Sequence, residues 1–383
     1  MDRIPETPAS SGNCEIFPKL SSSFSNLTKD EIMSDPVIRY LVFDVESFVD
    51  APLAARLHFP KDESLFQDPD EAVVRWKEEL RTQTGKDFIP YTFHLPTAVV
   101  LAKVSENFEL LDIAALSEVS LSPAEITERF WRGWERYGRP TFVTFNGRTF
   151  DVPLMELAAF RFGLSIPGWF SPLAKNYDQP RSRYNQSAHI DLLELFTNFG
   201  STRFNGGLDL AANLIGKPGK MDVLGEMADT MRREGRFQEI EDYCRCDVLD
   251  TYFVFLRTRV MMGYLSLAEE QKRVDSARKW LEDRAEICTA YRHYLENWGR
   301  WEDPWHRNRS TEPDPPTAPR SRSSTPAEEI KTVSSAKIQE RNSDTDMSAP
   351  ETADTTAQEP QKKRSSRKKT GNAVSKESKE EKR

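Results

Sequence analysis

Residues 37–46 read VIRYLVFDVE, a β-rich run that is almost continuously apolar over its second half and ends in two acids. Such a run predicts a buried central strand. Because residues i and i+2 of a strand point to one face, Asp44 and Glu46 project together, with their Cα atoms about 7 Å apart. One cation fits between two such carboxylates. For this pair alone, an ordinary strand end with two solvated acids remains the alternative.

The rest of the pattern predicts an α/β fold with a mixed sheet and flanking helices. Apolar runs at 97–104, 108–113 and 140–145 predict further strands. Ser122-Pro123-Ala124-Glu125 starts a helix, because it places Ser at the cap, Pro at the first helical position and Glu three residues after the cap. The other expected elements are a helix near 70–82 in an otherwise irregular 46–90 segment, a helix at 151–162, a strand or helical turn at 189–196, and helices at 208–215, 237–263 and 267–298.

A second acidic site follows the strand at 140–145. The sequence NGRTFDVP at 146–153 combines a turn-forming Gly147 with Asp151, which occupies a helix-cap position, and Pro153 in the first turn. The apolar first turn of this helix should pack on the sheet and bring Asp151 near the strand ends. A purely structural cap without a metal is the alternative.

A third site lies inside the long helical pattern at 237–263. Tyr243 and Asp247 are four residues apart and therefore share one helical face. Aspartate is a poor residue for the middle of a helix, so its place on a partly apolar stripe requires a compensating cation or arginine. A buried salt bridge is the alternative. Arg245 is expected on the solvated side.

These three stretches together supply four carboxylates and a tyrosine. A cluster of four acids repels itself unless a divalent cation neutralises it, and Mg²⁺ or Mn²⁺ prefers such oxygen ligands. The whole chain carries a net charge of −8, and the part before His306 carries roughly −12. An acidic body does not capture nucleic acid unaided, so any such site must be a local basic groove or depend on a metal.

Several classes of protein are disfavoured by composition. The four cysteines form neither a disulfide framework nor a zinc pattern, which favours reduced thiols. No apolar run has the 18 or more residues of a membrane span, and the first residues lack the apolar core of a signal peptide. We therefore expect a cytoplasmic protein without a membrane partner.

In this order, the three stretches resemble the motifs of 3′→5′ proofreading exonucleases with a ribonuclease-H-like fold. The tyrosine places the resemblance in the DEDDy branch. The segments HIDLLELF (189–196), LDLAANLIGKPGK (208–220) and DVLDTYFVFLR (247–257) are similar to stand-alone bacterial exonucleases related to the proofreading domain of family-B DNA polymerases. The resemblance covers roughly residues 37–262. It implies metal-dependent hydrolysis of the terminal phosphodiester at single-stranded 3′ ends, with DNA favoured, and release of nucleoside 5′-monophosphates.

The resemblance also implies a role for each site residue. Asp44 would bridge two Mg²⁺ or Mn²⁺ ions, with Glu46 and Asp247 on one ion and Asp151 on the other, partly through water. Two such ions stabilise the attacking and leaving oxygens of an in-line displacement. Tyr243 would orient the attacking water, because a phenol with a pKa near 10 is a poor base at neutral pH.

Four further residues are candidates for substrate contact. They are Asn146, Arg148, Phe150 and His189. Core packing for the phenylalanine and a structural role for the histidine remain alternatives. Two other functions also stay open: an exoribonuclease of the same fold, and a non-catalytic adaptor that binds nucleic acid.

The chain divides into four expected parts. Residues 1–36 are an arm without apolar periodicity, 37–262 an exonuclease domain, 263–302 a helical extension, and 303–383 a tail too poor in apolar residues to fold. For the basic cluster at 362–369 in this tail, a solvated segment is the default, and binding to nucleic acid or another polyanion is the alternative. The polar segment from Ser47 to Phe93 is longer than a minimal domain of this family needs. A lid over the site and a surface for a partner are the two alternative roles for it.

Overall fold

A computed structural model describes residues 37–116, 121–220 and 228–305, with the side chains of 228 and 229 left out. Five strands form one mixed sheet in the order β3-β2-β1-β4-β5. The expected arm and the basic cluster at 362–369 lie outside the described residues. The strands are β1 (Ile38–Val49), β2 (His94–Ser105), β3 (Leu110–Ala115), β4 (Thr141–Thr144) and β5 (His189–Asp191).

Helices cover both faces of this sheet. They are α1 (Ala51–His58), α2 (Ser64–Gln67), α3 (Pro69–Thr84), α4 (Pro123–Arg136), α5 (Asp151–Phe162), α6 (Pro167–Phe170), α7 (Leu192–Phe196), α8 (Gly207–Asn213), α9 (Ala228–Arg233), α10 (Phe237–Met261), α11 (Leu267–Glu282) and α12 (Thr289–Glu296). None of these described helices combines the length and apolar character that crossing a membrane requires. The mixed sheet and its flanking helices confirm the predicted α/β class and are consistent with a ribonuclease-H-like fold.

The central strand β1 has unequal partners on its two sides. It pairs antiparallel with β2 along nearly its whole length, but parallel with β4 only from Tyr40 to Val42. Beyond Val42, no described strand pairs with β1 on the β4 side. The sequence predicted that Asp44 and Glu46 lie at the end of the strand, but β1 continues to Val49 and both acids lie within it. They lie where one edge of that strand has no partner.

Alternation along β1 divides the core between the two faces. Leu41, Phe43 and Val45 belong to one apolar cluster with α4 and α5, while Val42 belongs to the other, which contains α10. Since side chains alternate along a strand, Asp44 and Glu46 share the face of Val42. The acids of β1 therefore point toward α10.

Local signals correctly predicted several elements. Ser122 and Glu125 form the expected capping box at the start of α4, and α10 matches the predicted long helix. For residues 189–196 the sequence predicted either a strand or a helical turn. The structure has both, with the strand β5 followed directly by the short helix α7. The described cysteines Cys244, Cys246 and Cys288 are buried and unbridged.

Two further predictions about the local structure were wrong. Residues 46–90 are not irregular around a single helix, because α1, α2 and α3 fill most of the segment. These helices pack on one another through a few apolar residues each. Because most of the residues between them are polar, the sequence shows no clear helical periodicity. Arg245 is not solvated: it is 4% exposed, pairs with Glu241 at 2.6 Å and donates to the Tyr291 hydroxyl at 2.9 Å.

The extension after residue 262 packs into the core of the main domain. Apolar residues of α11 and α12 belong to the same cluster as α10 and β1. At its centre the Tyr294 hydroxyl donates to Asp250 Oδ1 at 2.6 Å, and burial raises the pKa of Asp250 to about 7. The extension thus covers one side of the helix that carries Tyr243 and Asp247.

We predict that Tyr294→Ala lowers the free energy of unfolding by about 3–5 kcal/mol, because it empties a fully buried site and leaves Asp250 without its donor. Urea denaturation measures this loss. Tyr264→Ala is the matched control, since Tyr264 is 61% exposed and its truncation should change stability by no more than about 0.5 kcal/mol. Equal, small losses for both variants would contradict a core role for the extension.

Candidate active site

Three elements bring the predicted acids into one pocket. Asp44 and Glu46 come from β1, Asp151 from the start of α5, and Tyr243 and Asp247 from α10, and all five line the same cavity of about 330 Å³. Ligand atoms of Asp44, Glu46 and Asp247 lie within 4.8 Å of one another. The face of β1 that points to α10 thus meets the face of α10 that carries the tyrosine and aspartate.

Asp151 reaches the site in a different way from the one expected. The N-cap of α5 is Phe150, so Asp151 is the first residue of the helix rather than its cap. Instead, Asp151 Oδ1 accepts the backbone N–H of Val45 at 3.0 Å, in the stretch of β1 that lacks a β4 partner. The carboxylate therefore replaces a strand carbonyl and is fixed directly beside Asp44. Asp151 is 4% exposed, while the other three acids are partly open to the pocket.

Burial raises the pKa of all four acids, and repulsion from neighbouring carboxylates raises the pKa of three of them further. Desolvation raises the pKa of Asp44 to about 6. For Glu46, desolvation and then the charges of Asp44, Asp247 and Asp151 raise the pKa well above its usual value. Desolvation followed by the charge of Asp44 does the same to the pKa values of Asp151 and Asp247. Such a cluster holds protons unless a cation takes their place.

Tyr243 and Cys244 complete the wall formed by α10. Burial, and then the charges of Asp247 and Glu46, raise the pKa of Tyr243, so its phenol stays protonated and can donate a hydrogen bond. The buried Cys244 thiol lies 3.4 Å from the Asp44 carbonyl oxygen and 3.6 Å from Asp44 Oδ2. This thiol therefore helps to orient the carboxylate at the centre of the cluster.

Lys220 is a pocket residue that sequence reasoning missed. It lines the cavity, and its charge lowers the pKa values of Asp44, Glu46 and Asp247. Its backbone N–H donates to Asp209 Oδ1 at 2.9 Å. The sequence GKPGK at 216–220, part of a segment that resembles bacterial exonucleases, is the feature that could have pointed to a basic residue here.

The helical extension holds the segment that carries Lys220. The buried Lys217 places its Nζ 4.2 Å from the Trp298 ring centroid and 4.9 Å from that of Phe253. Gly216 has φ +66, and a Cβ there would come within 2.7 Å of the backbone at Arg300 and Trp301. Residues 216–220 are therefore clamped between α10 and the end of the extension.

Aromatic side chains form the opposite side of the pocket. Phe150 packs against Phe88 with ring centroids 5.8 Å apart and against His94 at 6.2 Å, and all three line the cavity. Phe145 and Asn146 line it as well. Two of these aromatic residues were not predicted: Phe88, near the end of the 47–93 segment, and His94, the first residue of β2. Lys77 of α3 also reaches the cavity. That segment is thus part of the pocket wall.

Two predicted substrate residues lie outside this pocket. Arg148 pairs with Glu194 at 2.9 Å, and its guanidinium donates to the His189 carbonyl oxygen at 3.0 Å. The His189 ring is completely buried and lies 2.8 Å from Thr144 Oγ1. Burial lowers the pKa of His189 well below its usual value, so the ring is neutral. Both residues support the turn at 145–150.

The donor set fits a hard divalent cation. Its ligand atoms are carboxylate oxygens only, three of them close enough to share one ion. In the part of the chain that the structure describes, no arginine or lysine forms an ion pair with Asp44, Glu46 or Asp247, so the salt-bridge alternative for Asp247 finds no support.

Comparison with known protein families supports this chemistry. A sequence model for a family described as "Predicted 3'-5' exonuclease related to the exonuclease domain of PolB" matches residues 86–298, more than half of the 383 residues. The chain belongs to this family. An exonuclease of this family acts on nucleic acid, and the recognition made from the three motifs is confirmed. A search of curated proteins found no match.

The family match begins after the first motif. Asp151, Tyr243 and Asp247 fall inside residues 86–298, whereas Asp44 and Glu46 precede them. It is the structure that joins the two parts, because β1 places Asp44 and Glu46 against the matched helix α10. The acidic cluster thus combines two residues that precede the matched region with residues inside it.

In protein stripped of cations with EDTA, we expect the free energy of unfolding to fall as the pH rises from about 4 to above 6. The folded state holds protons on these acids that the unfolded state has released, since their folded pKa values are raised, that of Asp44 to about 6. The linked protons stabilise the fold at low pH, and this contribution is lost as the pH passes through the folded pKa values. Urea denaturation between pH 5 and 8 measures the slope.

Asp247→Asn is the matched variant, because it removes one of the repelling charges without changing the shape of the side chain. The free energy of unfolding of this variant should fall less steeply with pH than that of the unmodified chain. Addition of Mn²⁺ at pH 7.5 should stabilise the unmodified protein more than the variant. A stability that stays level or rises over this range in both proteins would contradict the clustering of the four acids.

Proposed function

We propose that this protein is a metal-dependent 3′→5′ exonuclease that removes nucleoside 5′-monophosphates one at a time from single-stranded DNA. The observation that carries the proposal is the approach of Asp44, Glu46 and Asp247 ligand atoms to within 4.8 Å, with Asp151 beside them. The family supplies the exonuclease class and a nucleic-acid substrate. DNA is favoured over RNA by the resemblance to the proofreading domains of DNA polymerases.

The four acids, Asp44, Glu46, Asp151 and Asp247, would hold two Mg²⁺ or Mn²⁺ ions. When bound, such ions would supply Lewis-acid stabilisation of the attacking and leaving oxygens. The carboxylates provide the charge that retains the ions, and the hydrogen bond from the Val45 N–H holds the Asp151 carboxylate in place.

Tyr243 and Lys220 would act on the substrate itself. The protonated Tyr243 hydroxyl, which contacts Asp247, would hydrogen-bond to the attacking water and aim it at the phosphorus. Lys220 supplies a positive charge at the same pocket, where it holds the phosphate and offsets the negative charge that develops. The aromatic wall of Phe88 and Phe150 excludes water on the side of the terminal base.

The polarity, polymer and metal requirement are tested together with labelled oligonucleotides. Single-stranded DNA and RNA of one sequence, each labelled at the 5′ or the 3′ end, are incubated with Mg²⁺, Mn²⁺ or EDTA. We expect a ladder that shortens by one nucleotide at a time from 5′-labelled DNA, immediate release of label from 3′-labelled DNA, and no reaction in EDTA. Degradation of RNA alone would replace the proposal with the exoribonuclease alternative.

We predict that Asp44→Asn and Asp247→Asn each lower kcat on the order of 10³-fold or more, because each removes a metal-binding charge from the site. Tyr243→Phe removes only the hydroxyl and should lower kcat by about 10²-fold, with little change in cation affinity. Steady-state hydrolysis of the DNA substrate gives these ratios, and Mn²⁺ titration gives the affinity.

Asp275→Asn is the matched control for these variants. Asp275 is an exposed acid on α11 outside the pocket, and its substitution should leave the rate unchanged. Full activity in Asp44→Asn and Asp247→Asn would exclude the catalytic assignment. Binding of DNA with no hydrolysis under any metal would favour the adaptor alternative.

A further inference from the structure

A cluster of exposed aromatic side chains lies outside the pocket. Tyr177 is 71% exposed, Tyr184 60% and Phe199 36%. Ring centroids of Tyr177 and Tyr184 lie 6.0 Å apart, as do those of Tyr184 and Phe199. The Arg183 guanidinium lies 5.8 Å from the Tyr184 centroid and 5.9 Å from that of Phe199. We call these four residues the Tyr184 surface.

The segment that presents this surface is ordered by its own hydrogen bonds. The Asn185 side-chain amide donates to the carbonyl oxygens of Asp178 and Gln179, and the backbone N–H of Ala188 donates back to Asn185. Three large rings thus stay in water although the backbone around them is well fixed. Exposed rings held in a row are typical of a binding surface rather than of a core.

The segments that present the rings also carry unpaired positive charge. Lys175 in segment 171–188 and Arg203 in segment 197–206 are exposed and form no ion pair among the described residues. Arg181 and Arg183 of the same region are paired with Glu156 and Glu194. The chain as a whole carries a net charge of −8. This local excess of positive charge favours a polyanion as the partner.

Hydrogen bonds connect the Tyr184 surface to the turn that lines the pocket. Arg183 and Arg148 bind the two oxygens of the same Glu194 carboxylate, at 2.7 and 2.9 Å. Asp191, at the start of the same short helix, accepts the backbone N–H groups of Asn146 at 3.0 Å and Arg148 at 2.9 Å. Since Asn146 lines the cavity, a continuous chain of ion pairs and hydrogen bonds links the Tyr184 surface to the rim of the active site.

We propose that the Tyr184 surface binds the single-stranded DNA on the 5′ side of the nucleotide in the pocket, with bases stacked on its rings. This inference rests on the proposed function for the placement of the 3′ end. Aromatic rings interleaved with arginines bind single strands without regard to sequence, because every base has a face that can stack. Paired bases offer no free face, so the surface also selects against duplex ends.

The test compares two fluorescein-labelled 20-mers with equal numbers of phosphates, oligo(dT) and a strand of abasic spacers, by anisotropy in EDTA. The double variant Tyr177→Ala/Tyr184→Ala should bind oligo(dT) about 10-fold or more weakly than the unmodified chain. Its affinity for the abasic strand should not change. Tyr177→Phe/Tyr184→Phe keeps both rings and should restore the binding of oligo(dT).

Phe66→Ala is the matched control, because Phe66 is an aromatic residue of α2, 40% exposed and outside the pocket. Turnover of thymidine 5′-p-nitrophenyl phosphate, which has no upstream strand, should be equal in all variants. Unchanged binding of oligo(dT) in the double alanine variant would overturn the inference, and so would an equal loss on both strands. An unmodified chain that binds oligo(dT) through these rings but never cleaves it would refute the proposed function and leave this inference standing.

Discussion

The repulsion among four carboxylates in one pocket is the constraint on which the rest of the structure depends. Carboxylate oxygens of Asp44, Glu46 and Asp247 lie within 4.8 Å of one another. Burial raises the pKa values of these three residues and of Asp151. Such an arrangement costs stability unless protons or a cation neutralise it. The fold maintains it because three separate elements, β1, α5 and α10, hold the four acids, and because one edge of β1 is left open where β4 ends. There the Asp151 carboxylate takes the N–H of Val45 that a neighbouring strand would have bound.

The parts that surround the minimal sheet serve this pocket. The extension after residue 262 packs on α10 and, through Trp298 and Lys217, holds the turn that places Lys220 among the acids. The helices between β1 and β2 lead to Phe88 and His94, which form the aromatic wall beside Phe150. The short helix α7 joins the pocket rim to the Tyr184 surface through Glu194. Contacts among the described residues thus connect the acidic cluster, the aromatic wall and the Tyr184 surface.

The sequence predicted those features whose causes are local. The capping box of α4, the long periodicity of α10 and the alternation along β1 each depend on neighbours within a few residues, so the elements and the convergence of the five motif residues followed from them. Asp151 was assigned as a cap because its long-range bond to Val45 leaves no trace near position 151. Arg245 was placed in water because its partner Tyr291 lies 46 residues away. Lys220 and Phe88 were missed for the same reason, since only tertiary packing brings them to the acids.

Carboxylates from β1, α5 and α10 are expected to form one divalent-cation site, and an anomalous difference map tests this directly. A crystal of the protein is soaked in Mn²⁺ near pH 7.5. We expect anomalous peaks among Asp44, Glu46, Asp151 and Asp247, and the loss of these peaks in Asp44→Asn. Crystals with no peak in this pocket, or with Mn²⁺ bound only elsewhere, would contradict this expectation.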